Sequence, residues 1–167
     1  MSRVAAIAVV LALAPAVRAG SDPQAITAES LAPHLTPKPG RALLVHLWAS
    51  WCRPCIAEWP HFAKALRELE GRSVDIVVVS IDEPDAAAAA GKVLEKAGSF
   101  PGKSFLLPPD AALAAIGKLD PGWQGAVPTT LIVDGEGRII LAQRGATRLD
   151  EMASALDRVA PVKPETK

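Results

Sequence analysis

Two long apolar runs dominate the residue pattern, at positions 42–48 and 74–81. A strand with one wet face alternates apolar and polar residues, whereas a strand covered on both faces is apolar almost throughout. The two runs therefore predict strands of a parallel or mixed sheet that helices cover. Shorter strand candidates follow at residues 104–107, 129–133 and 138–143. The last two flank an Asp-Gly-Glu-Gly sequence, which is typical of a hairpin.

Apolar residues at helical spacing follow the first run and predict a helix that ends at Gly71. The apolar side of this helix is predicted to consist of Ile56, Trp59, Phe62, Leu66 and Leu69. Three further helices are predicted at residues 82–98, 110–119 and 149–159. Asp110 is the expected N-cap of the second of these, because an aspartate oxygen accepts hydrogen bonds from the first free backbone N–H groups.

The order of these elements predicts one α/β domain at residues 41–160. Half of the 167 residues are apolar, which is enough for the core of one such domain. The preceding segment, residues 20–40, contains four prolines and is expected to be a lead-in with little regular structure. Residues 161–167 are expected to form a polar tail.

The first nineteen residues are typical of a secretory signal peptide. Arg3 precedes an uncharged apolar run at residues 4–14, and Val17-Arg18-Ala19 then offers a cleavage site. The run is shorter than the roughly 20 residues that a membrane-spanning helix needs. We therefore expect residues 1–19 to be removed and the protein to be soluble in the periplasm or otherwise outside the cytoplasm. An uncleaved interfacial anchor is the alternative.

The charges of the chain balance, with 18 Lys and Arg residues against 18 Asp and Glu residues. Proteins that bind nucleic acids usually carry a basic patch or stripe, and this sequence has none. We therefore expect no nucleic-acid partner.

The chain contains only two cysteines, Cys52 and Cys55, separated by two residues. Closing so short a loop removes little entropy from the unfolded chain, so a structural disulfide is a poor explanation. A c-type haem site needs histidine after the second cysteine, where Ile56 stands, and a zinc site needs two further ligands. A two-thiolate copper site remains open. The spacing favours redox chemistry.

The position of the cysteines at the start of a helix suits disulfide exchange. The free N–H groups and the positive end of the helix dipole stabilise a thiolate at Cys52, and Arg53 adds a positive charge. Pro54 fits the first turn, where its missing N–H has no consequence. Cys55, one turn further on and expected to be more buried, then attacks the mixed disulfide and releases the reduced partner.

The motif also resembles a known family. The active-site segment of thioredoxin-like proteins is similar to Trp48-Ala49-Ser50-Trp51-Cys52-Arg53-Pro54-Cys55. The TlpA/ResA type, exported reductases related to those of cytochrome c maturation, is similar in particular to Cys55-Ile56-Ala57-Glu58-Trp59-Pro60. The resemblance spans residues 41–159 and includes Val127-Pro128-Thr129-Thr130, which resembles the cis-proline loop, and Gly145-Ala146. It implies a thioredoxin-like fold, a central mixed sheet flanked by helices, with a helix–strand insertion at residues 82–107.

The resemblance also implies roles for individual residues. Glu58 is expected to be buried near the cysteines and to handle their protons; a solvated helix glutamate is the alternative. Pro128 is expected to lie beside the disulfide, where the backbone of Val127 can bind an extended substrate peptide. Trp51, with Arg53 and Pro54, is expected to contact the substrate.

Two further residues, His46 and Trp123, are candidates for a role in the site. His46 stands where thioredoxins have a buried aspartate, and a proton relay with Glu58 and a buried core histidine are equally compatible with it. Trp123, between glycines in a loop before Pro128, is a candidate for contact with a partner.

These observations together predict an exported dithiol reductant of client-protein disulfides, with apocytochrome c or a copper-site assembly protein as client. It would be a monomer, use no cofactor or metal beyond the Cys52–Cys55 couple, and receive electrons from a membrane-bound thiol donor. Proline as the second residue between the cysteines, here Pro54, resembles the pattern of reductants, whereas strong oxidants usually carry histidine at that position. A disulfide-donating oxidase or isomerase and a copper-delivery module are the alternatives. A thiol peroxidase would need a cysteine in a different setting.

Overall fold

The structure is a computed structural model that describes residues 23–160. The strands in this range are β1 (Gln24–Ala25), β2 (Ala42–Trp48), β3 (Val74–Ser80), β4 (Lys103–Leu106), β5 (Thr129–Val133) and β6 (Ile139–Arg144). The helices are α1 (Ala28–Leu35), α2 (Arg53–Arg67), α3 (Ala87–Ala97), α4 (Pro109–Ile116) and α5 (Leu149–Val159), and a 3-10 helix at Pro84–Ala86 precedes α3.

The strands form one mixed sheet in the order β1-β4-β3-β2-β5-β6. The first four in this order run parallel, and β5 and β6 are antiparallel to their neighbours. Strand β2 lies inside the sheet between β3 and β5, and all seven of its residues are buried. The unbroken apolar run predicted a strand buried on both faces in a parallel or mixed sheet, and this prediction is confirmed.

Helix α2 is fixed to the end of β2 by aromatic contacts. Trp59 meets Trp48 edge to face with ring centroids 5.1 Å apart, and it stacks on Phe100 at 5.5 Å. Phe62 and Leu66 of the same helix are also buried in the core. The predicted apolar face was wrong at Ile56, which is 40% exposed.

The lead-in segment is more ordered than its prolines predicted. Thr27 caps α1 by accepting a hydrogen bond from the backbone N–H of Ser30, and Leu31 and Leu35 are buried. Strand β1 pairs with β4 and adds an edge to the sheet. The prediction of little regular structure was wrong, because burial of two leucines stabilises a helix despite Pro33 inside it.

Two predicted helix starts were also wrong. The 82–98 helix begins only at Ala87, because Asp82 is buried and its carboxylate binds the backbone N–H and the hydroxyl of Ser50. Asp110 lies within the first turn of α4 and not at its N-cap, which is Pro108. Pro109 occupies the first helical position, where proline is favoured.

Two further predictions concern residues outside the described range, namely the signal peptide at 1–19 and the polar tail at 161–167. Between residues 23 and 160, no helix has the length and apolar character needed to cross a membrane.

Candidate active site

The loop between β2 and α2 is held to the segment that follows β3. The backbone N–H of Ile81 donates to Trp48 O at 2.8 Å, which ties the end of β2 to the end of β3. Asp82, just beyond, accepts hydrogen bonds from the N–H and the hydroxyl of Ser50, each at 2.8 Å. Asp82 also accepts a hydrogen bond from Ser80. No pattern in the sequence points to Asp82, because its role depends on the neighbouring strand.

Helix α2 begins directly after Cys52, which is its N-cap. The Sγ atom of Cys52 accepts a hydrogen bond from the backbone N–H of Cys55 at 3.3 Å. The first turn contains no acidic residue, and Arg53 and Pro54 lie there with exposed side chains. The helix terminus therefore stabilises negative charge on the sulfur of Cys52, as the sequence predicted.

Cys52 and Cys55 form a disulfide with a Cα–Cα distance of 5.3 Å. Cys55 is fully buried, whereas Cys52 keeps 6% of its surface exposed. The two cysteines therefore differ in burial in the expected order, with Cys52 the more exposed of the two.

Exposed apolar side chains lie on both sides of Cys52 in the sequence. Trp51 is 62% exposed, and Ile56 is the other large apolar residue of this region that faces solvent. Ile56 also lines a groove between α2 and α3 of about 270 Å³, together with Trp59, Pro60, Val93, Lys92 and Lys96. This surface suits contact with an apolar segment of another protein.

The Val127–Pro128 peptide bond is cis, as the resemblance implied. The register pairs Leu47 of β2 with Thr129 of β5, so Pro128 lies at the end of the sheet where β2 enters the Cys52 loop. Pro128 is buried and Val127 is half-buried. The carbonyl of Pro128 accepts a hydrogen bond from the N–H of Gly145, which fixes the loop to the segment after β6.

Trp123 is not the exposed contact that its glycine-flanked loop predicted. Its side chain is only 2% exposed, and its Nε1–H donates to the carbonyl of Ala126 at 2.8 Å. Thr129 Oγ1 donates to the same carbonyl. Trp123 therefore supports the cis-proline loop from inside. Glycine neighbours alone do not reveal this burial.

Glu58 lies one helical turn after Cys55, and its side chain is only 13% exposed. Its carboxylate accepts a hydrogen bond from the backbone N–H of Thr147 at 2.7 Å and faces the hydroxyl of Thr147 at 3.4 Å. Burial raises the pKa of Glu58, and the two contacts with Thr147 lower it in part. The alternative of a solvated helix glutamate does not fit this environment.

His46 is fully buried inside β2. Its ring packs against Phe62 with centroids 4.1 Å apart and meets Trp59 edge to face at 5.5 Å. Burial lowers the pKa of His46 to about 3, so the ring is neutral near neutral pH. Its Nδ1 lies 3.0 Å from Thr130 Oγ1. It is a hydrogen-bonded core histidine that also faces Glu58.

The contact between His46 and Glu58 is close but imperfect. Nε2 of His46 lies 3.4 Å from Glu58 Oε1, yet no described residue forms a hydrogen bond of good geometry with this nitrogen. We treat the pair as adjacent polar groups and not as an ion pair, because the histidine is neutral. His46 and Glu58 were both expected near the cysteines, whereas Thr130 and Thr147 were not, because no spacing in the sequence points to them.

Residues 23–160 contain no group of three or more His, Cys, Asp or Glu side chains arranged to hold a metal ion.

Proteins of known function resemble this chain. The thiol-disulfide oxidoreductase ResA of Oceanobacillus iheyensis is 28% identical over 124 residues, which cover 73% of this chain and 59% of that protein. The thiol:disulfide interchange protein HelX of Rhodobacter capsulatus is 33% identical over 123 residues, covering 71% of this chain and 60% of that protein. The chain thus spans about three fifths of the length of these relatives.

Solved structures share the fold. A DsbF homologue from Corynebacterium diphtheriae superposes with a TM-score of 0.62 at 19% identity, over 84% of this chain and 86% of the other. A thioredoxin family thiol:disulfide interchange protein from Chlorobium tepidum superposes with a TM-score of 0.60 at 20% identity, over 87% and 99%.

The AhpC/TSA family matches residues 28–142, which include α1, the Cys52–Cys55 pair, the cis-proline loop and most of β6. The sheet order, the cysteine pair at the start of α2 and the cis-proline at the end of the sheet agree with this match. The chain therefore belongs to the AhpC/TSA family and has the thioredoxin-like fold.

Proposed function

We propose that the protein is an exported thiol–disulfide oxidoreductase that reduces disulfides in client proteins through Cys52 and Cys55. The observation that carries the proposal is the disulfide itself, with the less buried cysteine at a helix N-terminus and the fully buried cysteine a turn further on. The names of ResA and HelX support thiol–disulfide exchange as the chemistry.

The exchange proceeds in two steps. In the reduced protein the Cys52 thiolate attacks the client disulfide, forms a bond to one client sulfur and releases the other as a thiolate. The Cys55 thiol then loses its proton, attacks the Sγ atom of Cys52 and releases the second client sulfur. Two electrons pass from the protein to the client, and the Cys52–Cys55 disulfide forms.

Glu58 is the proposed acceptor of the Cys55 proton. It lies on the same side of α2 as Cys55, three residues on, and it is a carboxylate with a raised pKa in a nearly closed site. A carboxylate with an ordinary pKa would be a weaker base towards a thiol.

Client binding is proposed at the surface around Cys52. Trp51 offers apolar area, and Arg53 and Pro54 lie on the first turn of α2 with exposed side chains. The backbone of half-buried Val127, next to the cis-proline, is the proposed pairing site for an extended client segment. An apocytochrome c or a copper-site assembly protein fits this role, and a membrane-bound thiol donor would return the protein to its reduced form.

The redox potential tests the direction of electron transfer. We expect equilibration with defined thiol–disulfide buffers to give a value near that of thioredoxin, about −270 mV, or not far above it. A value near about −120 mV would identify a disulfide donor and would remove the reductant proposal.

A trapping experiment tests the client class. Cys55→Ser removes the resolving thiol, so Cys52 should remain joined to an apocytochrome c peptide that carries an oxidised Cys-x-x-Cys-His motif. Cys52→Ser is the matched control and should trap nothing, because the buried Cys55 is not accessible to the peptide. Equal trapping by both variants, or by neither, would contradict the proposal.

A further inference from the structure

The groove between α2 and α3 begins one helical turn from Cys52. The backbone N–H of Ile56 donates to Cys52 O at 3.0 Å, and Ile56, which lines the groove, is 40% exposed. Pro60, one turn further along the same side of α2, is also exposed and also lines the groove. Cys52, Ile56 and Pro60 therefore form a row that leads from the reactive cysteine into the groove.

The lining of the groove is mainly apolar. The apolar lining residues are Ile56, Trp59, Pro60, Val93 and Ala97. The volume of about 270 Å³ is slightly below the roughly 300–1,000 Å³ of sites that enclose a small ligand. The groove therefore suits one or two apolar side chains of a protein segment.

Two lysines, Lys92 and Lys96, form the polar part of the lining. They lie one turn apart on α3, and both are exposed. Glu95 is the acidic residue of α3, and it does not line the groove. None of the ion pairs within residues 23–160 includes either lysine. Their aliphatic stems extend the apolar wall, while the ammonium groups stay in solvent and lack a negative partner.

We propose that the groove binds the client segment next to the client's reactive cysteine, and that this segment combines apolar with acidic side chains. The apolar side chains enter the groove beside Ile56 and Val93, and the carboxylates face Lys92 and Lys96. This inference rests on the proposed function and adds to it the chemistry of the client segment.

The geometry of the helix sets the spacing within the client. Ile56 and Pro60 lie four and eight residues after Cys52, which is roughly 6 and 12 Å along the helix axis. An extended chain spans about 3.3–3.6 Å per residue, so about two residues reach Ile56 and about four reach Pro60. Alternate residues of an extended segment point to opposite sides. The client therefore carries apolar side chains two and four residues from its cysteine, and acidic ones at three and five.

The charge of the groove disfavours a second copy of this chain as the occupant. A two-fold contact places the same surface patch of both copies face to face. It would bring Lys92 and Lys96 of one copy towards the same lysines of the other, and like charges placed together are unfavourable. An acidic client segment has the complementary charge.

Stopped-flow exchange with synthetic peptides tests the charge preference. Each peptide carries one cysteine as a mixed disulfide with 2-mercaptoethanol, leucines two and four residues away on both sides, and glutamate or lysine at three and five. Each rate is divided by the rate with dithiothreitol, which corrects for the reactivity of the peptide disulfide itself. We expect the reduced full-length protein to prefer the glutamate peptide about threefold to tenfold, as two exposed ion pairs allow. Equal corrected rates would overturn the proposal.

Charge reversal tests the two lysines. Lys92→Glu/Lys96→Glu should reverse the preference, so that the lysine peptide reacts faster. Lys64→Glu/Lys118→Glu is the matched control, because it changes the net charge equally at exposed positions outside the groove, and it should keep the wild-type preference. Equal loss of preference in both double variants would mean that net charge alone is responsible, and it would overturn the proposal.

A second pair of variants tests the apolar lining. Ile56→Ser should slow the reaction with the glutamate peptide to the rate of a peptide that has serine in place of leucine. Ile139→Ser is the matched control, because Ile139 is 38% exposed and lies on β6, outside the groove. It should react as the wild type does. Equal slowing by both variants would contradict binding in the groove.

The wild-type protein separates this inference from the proposed function. Failure to react with any of the peptides would refute the proposed function, whereas reaction with all of them at one corrected rate would refute the groove alone. Sedimentation analysis tests the remaining occupant. A wild-type dimer that Lys92→Glu/Lys96→Glu dissociates would assign the groove to a second copy and overturn the proposal.

Discussion

At the scale of single residues, the environment of Glu58 decides its chemistry. The carboxylate is nearly enclosed between α2 and the segment before α5, where it meets a backbone N–H and a neutral histidine. Desolvation raises the pKa of Glu58, and the hydrogen bond from the N–H of Thr147 lowers it in part. A base with a raised pKa is closer to a thiol in proton affinity and accepts its proton more readily.

Glu58→Gln tests this assignment through the pH dependence of exchange. Because the ionised form accepts the proton, the resolving rate of the wild type should rise with pH through the raised pKa of Glu58. The variant should lose this rise and be about a hundredfold slower above that pH. Stopped-flow measurement of mixed-disulfide resolution between pH 4 and pH 9 gives both values.

Glu68→Gln is the control, since Glu68 is an exposed glutamate at the other end of the same helix. It should behave as the wild type does. A Glu58→Gln profile that also matches the wild type would remove Glu58 from the mechanism.

At the scale of elements, the segment before β2 contributes more than its composition predicted. Helix α1 buries Leu31 and Leu35 and packs on α4, and β1 extends the sheet beside β4. Local pattern did not reveal this, because the apolar residues of α1 are few and prolines surround them. The helix is stabilised mainly by its tertiary contacts.

Leu31→Ala measures the contribution of α1. Leu31 is fully buried, so its truncation should lower the free energy of unfolding by about 2–5 kcal/mol. Leu113→Ala is the matched control, because Leu113 lies on α4 with 40% of its surface exposed and should cost much less. Urea unfolding of the oxidised protein compares them. Equal effects would mean that α1 is not docked in solution.

At the scale of the whole molecule, the Cys52 loop, Asp82 and the cis-proline lie at one end of the sheet. The Cys52 loop leaves β2, Asp82 leaves β3, and the cis-proline precedes β5 at the same edge. Parallel strands bring the loops that follow them together, because the carboxyl ends of these strands lie at the same edge of the sheet. The chemistry therefore depends on the sheet as a whole.

Export is a prediction about the whole chain. We expect a protein expressed with its own N-terminus to be recovered outside the cytoplasm, with an intact mass that corresponds to cleavage after Ala19. A Leu11→Arg/Leu13→Arg variant interrupts the apolar run and should remain inside the cell at full length. Recovery of the wild type uncut in the membrane fraction would favour the interfacial anchor instead.

The sequence by itself determined the two long strands, the position of helix α2 and the cysteine pair at its start. The runs at 42–48 and 74–81 are apolar because both faces of each strand are buried, and two cysteines separated by two residues at a helix start favour redox chemistry. These signals are local, because each depends on residues within one or two turns or strands.

Only the tertiary structure decided which polar groups surround Glu58. His46 and Thr130 are 84 residues apart, and Glu58 and Thr147 are 89 apart, yet each pair is in contact. The register of β2 against β5 and the position of the segment before α5 bring them together. No local pattern encodes such a pairing, because it arises from the closure of the whole sheet, and the same holds for the burial of Trp123.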